Sequence, residues 1–185
     1  MGKLTFIIGG ARSGKSNHSV KLACNQSGKV AFIATAPYYD DDMNKRIERH
    51  KDERPSDWDT YEEQKEVASL IDRIGSNYDV ILIDCLTLYV SNYLLENITE
   101  EEIQENLIHL MKSVKKAPCH TIIVANEVGM GVHPSNQLAL VFRDIAGRAN
   151  QVVARHADDV FFTFAGIPLK IKGEKSLDFI EIQDY

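Results

Sequence analysis

The chain has only three cysteines, Cys24, Cys85 and Cys119, widely separated and without any CxxC spacing. That scarcity excludes a disulfide framework or a cysteine zinc site and reads as small buried apolar residues in a reducing compartment. Positive charge is not in excess either. A net charge of −6 argues against broad nucleic-acid binding, so no nucleic-acid partner is expected. No apolar run approaches the roughly 18 residues that cross a bilayer, so no membrane span is expected. "MGKLTFIIGG" passes straight from Met1 into a strand and a glycine loop, without a targeting segment, and the expected location is cytoplasmic. Repeats, low-complexity tracts and linkers are also missing, so residues 1–185 read as one domain. What remains, 44% hydrophobic and 26% charged, is ordinary globular composition.

Apolar runs alternate with helical patterns. "KLTFII" (3–8), "KVAFIAT" (29–35), "DVILID" (79–84), "HTIIVAN" (120–126) and "DVFFTFAG" (159–166) read as strands, and "WDTYEE" as a short extended segment. Helices are expected from the end of the glycine loop to about Asn25, and over 40–54, 63–75, 86–96, 99–117 and 135–157. Thr99 with Glu102 makes a capping box for the fifth of these. The tail "PLKIKG…LDFIEI" alternates as a terminal hairpin would. Continuous apolar strands joined by helices imply an α/β fold, a mostly parallel sheet with helices on both faces. Ligands of such sheets bind beyond the carboxyl ends of the strands.

"GGARSGKS" (9–16) fits G-x-x-x-x-G-K-[ST] between a buried strand and a helix, the context that defines a P-loop. Its backbone N–H groups would wrap phosphates, Lys15 would reach the β- and γ-phosphates, and Ser16 would ligate Mg²⁺. Asp84 ends a buried strand, where a P-loop enzyme holds its metal; alone it could be a turn residue, but beside a P-loop it reads as metal-associated. After the fourth strand, "NEVGMG" places Glu127 and two glycines at the ligand edge, as a functional carboxylate or as a solvated loop. Arg143 and Arg148 stand equally open as phosphate clamps or ion-paired surface residues. His18, His109, His120, His133 and His156 lack metal-ligand spacing and read as surface or packing residues.

"RIERHKDERP" (46–55) raises a separate question. On a helix, Met43, Ile47 and His50 follow i, i+4, i+7, so His50 borders the inward face, with Arg46 and Arg54 one turn to either side. Neighbouring positive charge disfavours imidazolium and keeps the ring nucleophilic, while guanidiniums can clamp phosphate oxygens. The pattern alone favours a solvated charged helix.

The segments "GGARSGKS", "FIAT", "DDDMNKRIERHKDERP", "WDTYEE", "LIDCLTLYVSN", "NEVGMGVHP" and "FRDIAGRANQ" occur in this order over about residues 4–172. Together they resemble the bifunctional adenosylcobinamide kinase/adenosylcobinamide-phosphate guanylyltransferase family of cobalamin synthesis. The resemblance implies a P-loop NTPase fold of the RecA-like kind and two reactions. A nucleoside triphosphate phosphorylates adenosylcobinamide; GMP then passes from GTP to adenosylcobinamide phosphate through a GMP–histidine intermediate, giving adenosylcobinamide-GDP. The family's nucleophile falls on His50, although Arg49 stands where related sequences have a second histidine. Nucleotide binding falls on Gly9, Gly10, Ala11, Arg12, Ser13, Gly14, Lys15 and Ser16, on Ala34, Thr35 and Ala36, on Lys51, Asp52, Glu53 and Arg54, and on Glu62 and Asp84. Ser16 and Asp84 are the implied Mg²⁺ residues, ATP and GTP the implied nucleotides, and a homotrimer the implied assembly. Tyr89 replaces a tryptophan common in related sequences. Competing readings are a single-activity small-molecule kinase and a nucleotide-switched RecA-like binding module.

Overall fold

A computed structural model describes residues 2–37, 54–96, 98–131 and 133–174. Seven strands form one sheet: β1 (Leu4–Gly9), β2 (Val30–Ala34), β3 (Asp59–Glu62), β4 (Val80–Asp84), β5 (His120–Asn126), β6 (Asp159–Phe164) and β7 (Ile167–Lys172). Their spatial order is β3-β2-β4-β5-β1-β6-β7, with every neighbouring pair parallel except the β6–β7 hairpin. β1 is buried at all six positions, as a central parallel strand covered on both faces must be. β3 is an edge strand with mostly exposed side chains, which is why "DTYE" carries little apolar signal.

The described helices are α1 (Lys15–Cys24), α2 (Val67–Ile74), α3 (Leu86–Leu95), α4 (Glu100–Lys116) and α5 (Gln137–His156). They cover both faces of the sheet. Alternate strand residues Phe6, Ile33, Ile83 and Ile123 share a core with α2 to α5, which contribute Ile71, Tyr89, Leu107 and Val153. The intervening residues Ile7, Phe32, Leu82 and Val124 pack under α1 through Val20 and Ala23. α2 buries Val67, Leu70, Ile71 and Ile74, one i, i+3, i+4, i+7 stripe. α4 starts at the expected capping box: Thr99 Oγ1 accepts from Glu102 N, and the Glu102 carboxylate accepts from Thr99 N at 3.0 Å. No described helix is long and apolar enough to cross a membrane.

Two expectations change. Cys24 is exposed, because it lies in the last turn of α1 on the side away from the sheet; only Cys85 and Cys119 are buried. The 63–75 helix is shorter, since Glu63 first accepts from the N–H groups of Lys65 and Glu66, a turn that delays the helix to Val67. The first arm of the tail, β7, pairs antiparallel with β6, while the residues beyond 174 that would complete the expected hairpin lie outside those described. The expected 40–54 helix falls outside them too, apart from Arg54.

Candidate active site

The carboxyl edge of the sheet collects the chemistry-bearing residues. Ala34 is in register with Glu62 on one side and Asp84 on the other. Gly9 is in register with Asn126 and Thr163. Two backbone bonds tie neighbouring strand ends: Thr35 N donates to Asp84 O at 3.1 Å, and Glu127 N donates to Gly9 O at 2.9 Å.

Gly9 to Ser16 wrap from β1 into α1 as one loop. Gly14 adopts φ 93°, a left-handed conformation costly for a residue with a Cβ. Gly9 answers a different need: a Cβ there would come within 2.5 Å of the Thr163 carbonyl oxygen. The loop is braced from β6–β7 by Gly166 N, which donates to Ser13 O at 2.8 Å. Lys15 is buried, with Nζ donating to Gly10 O at 3.0 Å, so its ammonium curls over the loop it serves. Backbone N–H groups at the start of α1, with this ammonium, form a cradle for phosphate oxygens.

Asp84 stands at the end of β4 within electrostatic reach of Arg54, whose guanidinium is lowered by burial and held up by that carboxylate. Next to Asp84, burial and then its negative charge push the Cys85 thiol up to about 12, while Lys15 pulls it down. Cys85 is therefore no thiolate nucleophile near neutral pH. Arg54 and Lys15 thus flank the Asp84–Cys85 corner of the edge from its two sides. The Ser16 hydroxyl and the Asp84 carboxylate are hard oxygen donors, so the residues present fit Mg²⁺.

Beside this corner a concavity of about 360 Å³ is lined by Arg54, Pro55, Ser56, Trp58, Thr60 and Glu62. The Arg54 guanidinium lies 3.8 Å from the centroid of Phe32, a cation–π contact on the body of β2, and Nη1 reaches Thr60 Oγ1 at 3.4 Å. Arg54 and Glu62, on either side of Trp58 in the sequence, thus meet at the β2–β3 edge. Trp58 and Thr60 join them, though not among the expected site residues; the signal for them was the "WDTYEE" segment that carries part of the resemblance.

Other candidates turn out differently. Thr35 is fully buried and its hydroxyl serves Cys85, donating to its O at 2.7 Å and accepting from its N at 2.8 Å, so this side chain does not face a ligand. The Glu127 carboxylate folds back to accept from Gly129 N and Met130 N. Arg143 pairs with Asp144, and Arg148 with Glu100 at the start of α4, which gives both an ion-pair role. His120 hydrogen-bonds Thr5 and His156 bonds Val152 O, in keeping with packing roles. No cluster of metal-ligating side chains occurs among the described residues. His50, Lys51, Asp52 and Glu53 lie outside those residues.

Comparison with known proteins points to one family. Residues 5–171 match the family model described as cobinamide kinase / cobinamide phosphate guanyltransferase. The bifunctional adenosylcobalamin biosynthesis protein CobU of Salmonella typhimurium is 40% identical, with 91% of this chain and 99% of that protein covered. Its Escherichia coli counterpart is 37% identical with the same coverage. The bifunctional protein CobP of Pseudomonas aeruginosa is also 37% identical, with 91% and 97% covered. Among solved structures, the RadB recombinase superposes with a TM-score of 0.56 at 14% identity, covering 96% of this chain and 84% of that one, which establishes a RecA-like fold.

Proposed function

This chain belongs to the cobinamide kinase / cobinamide phosphate guanyltransferase family, and on that premise we propose how one domain, residues 1–185, carries both reactions. The observation that supports the reading is the shared carboxyl edge, with the P-loop at β1, Asp84 at β4 and the Arg54–Glu62 concavity at β2–β3.

In the kinase reaction, the P-loop and Lys15 hold the β- and γ-phosphates of ATP or GTP. A hydroxyl oxygen of adenosylcobinamide attacks the γ-phosphorus, the bond to the β-phosphate oxygen breaks, and a nucleoside diphosphate leaves. Ser16 and Asp84 would hold Mg²⁺, which would supply charge neutralisation for the phosphates. Little covalent work falls to the protein in such a transfer; position and charge dominate.

In the second reaction the same cradle receives the β- and γ-phosphates of GTP as a leaving group. A ring nitrogen of His50 attacks the α-phosphorus, pyrophosphate departs, and GMP remains on the histidine. A phosphate oxygen of adenosylcobinamide phosphate then attacks that phosphorus and frees His50, giving adenosylcobinamide-GDP. Arg54, with Lys51, Asp52 and Glu53 beside the nucleophile, and Glu62 with Ala34 and Ala36, are assigned to the nucleotide. The chain works in the cytoplasm, where these triphosphates are supplied, as a homotrimer and without a nucleic-acid partner. Exposed apolar residues such as Leu138, Val141 and Phe164 provide surface that an assembly would cover.

Incubation with GTP labelled at the α-phosphate, in Mg²⁺, tests the reading. Wild type should retain label through an acid-labile, base-stable bond, and His50→Ala should retain none. Label persisting in His50→Ala removes His50 as nucleophile.

A further inference from the structure

We propose that Asn92 is a positioning residue for guanylyl transfer, acting through Thr35 to hold the chain ends on which the His50 segment is hung. Asn92 lies in α3, between Ser91 and Tyr93, and is buried. Its Nδ2 donates to Thr35 O at 2.9 Å and to Gln64 O at 3.0 Å. Both partners are carbonyl oxygens, so only the amide nitrogen can face them, which fixes the side-chain orientation chemically. Its Oδ1 is buried with no partner. A buried amide with a vacant acceptor costs stability relative to an apolar residue that fills the space. Asn92 is therefore poorly explained as core filling and well explained by the two carbonyls it joins.

Those carbonyls belong to the exits of β2 and β3. Thr35 is the first residue after β2 and leads into the segment that carries His50; Gln64 lies two residues past the end of β3, to which that segment returns. Thr35 in turn has every polar atom engaged: N to Asp84 O, O from Asn92, and Oγ1 to both backbone groups of Cys85. One clasp thus sets Ala34–Ala36, Glu62–Gln64 and Asp84 relative to one another. The two halves of the clasp have separable effects. The Thr35 hydroxyl steadies the peptide next to Asp84, which both reactions need. The Asn92 amide bonds the β2 and β3 exits directly and reaches Asp84 only through Thr35, and it is those exits that the His50 step needs and phosphoryl transfer from the P-loop does not.

The inference rests on the assignment of His50, and wild type is the control for that: formation of cobinamide phosphate without any GDP product would refute the function itself, not the clasp. With both wild-type rates in hand, Asn92→Leu, of comparable size, and Asn92→Ser, smaller and less demanding to fold, are compared for the two activities, for KM and kcat separately, and for thermal stability. Asn92 variants should lower kcat for guanylyl transfer roughly tenfold to a hundredfold more than kcat for the kinase step, the scale of a misplacement near 1 Å. Thr35→Val should lower both activities together and raise the Mg²⁺ requirement, and Thr35→Ser, which keeps the hydroxyl, should restore both. A purely structural role would lower both activities in step with the folded fraction. An unchanged ratio of the two activities in both Asn92 variants overturns the proposal.

Discussion

Replacing His18 with leucine should flatten the acid limb of the stability curve. His18 sits in α1, one turn past Lys15, with its ring edge-on to Phe161 at 5.1 Å between centroids and Nε2 buried without a partner. Burial, and secondarily the charge of Lys21, lower its pKa from 6.5 to about 4. The unfolded chain therefore takes up a proton below about pH 6.5 that the folded chain refuses until about pH 4, and stability falls as pH descends through that window. At about 1.36 kcal/mol per unit the full descent costs about 3 kcal/mol, an upper figure because water reaches part of the ring. That is a large fraction of the roughly 5–15 kcal/mol by which domains are stable. His18→Leu has similar volume, no titrating group and no orphaned ring nitrogen. Urea unfolding at about pH 7.5 and 4.5, at one fixed protein concentration, should find the variant gaining about 2–3 kcal/mol on wild type between the two conditions. Asp158 and Asp159 also titrate on the acid side. Burial pushes both upward, but Lys115 at Asp158, and Lys170 with Lys3 at Asp159, hold them below the usual range. They are present in both proteins and cancel in the difference. Parallel pH curves for wild type and His18→Leu would refute the argument.

Gly9→Ala should weaken nucleotide binding by roughly tenfold or more and cost about 1–3 kcal/mol, because the added methyl meets the Thr163 backbone rather than a yielding side chain. Titration with a fluorescent GTP analogue and a urea midpoint check both, and unaltered binding would mean the β1–β6 approach does not shape the cradle. For the assembly, sedimentation equilibrium should return three times the 20.8 kDa chain mass; a monomer at working concentration would rule the trimer out.

How much of this could be read from sequence depended on whether a signal was contiguous. β1, β4 and β5 were legible because a parallel strand buried on both faces must be apolar at nearly every position. The P-loop was legible because one short segment supplies the whole cradle. β3 read only as an extended segment, since an edge strand with exposed side chains has no such run. Glu127 showed as a carboxylate at the right edge, but the N–H groups of Gly129 and Met130 two and three residues on already claim it. Arg148 has its acid 48 residues away, a pairing no local pattern encodes. The Asn92 clasp was invisible for the same reason in stronger form: its partners are backbone carbonyls, which every residue has, and only the fold selects which two.

The strand order explains why the second reaction would depend on such a clasp more than the first. β2 stands three positions from β1, across β4 and β5, and β3 stands four. At about 4.8 Å per strand, the Arg54–Glu62 edge lies roughly 14–19 Å from the phosphate loop. Phosphoryl transfer needs only the loop and Asp84, two strands apart, both fixed by parallel pairing through β5. On the proposed mechanism, guanylyl transfer would need a nucleotide stretched along the edge, its leaving phosphates at β1 and its remainder toward β2 and β3, with a nucleophile arriving from the segment between those outer strands. Misregister accumulates along that span, and β3 is an edge strand paired on one side alone. A tether from α3, the helix that starts directly after Asp84, to the exits of β2 and β3 shortens the lever from the full span to a single side chain. The fold thus places a buried amide with an idle oxygen, the only one among the described residues, where the geometry of the longer reaction is least constrained by the sheet itself.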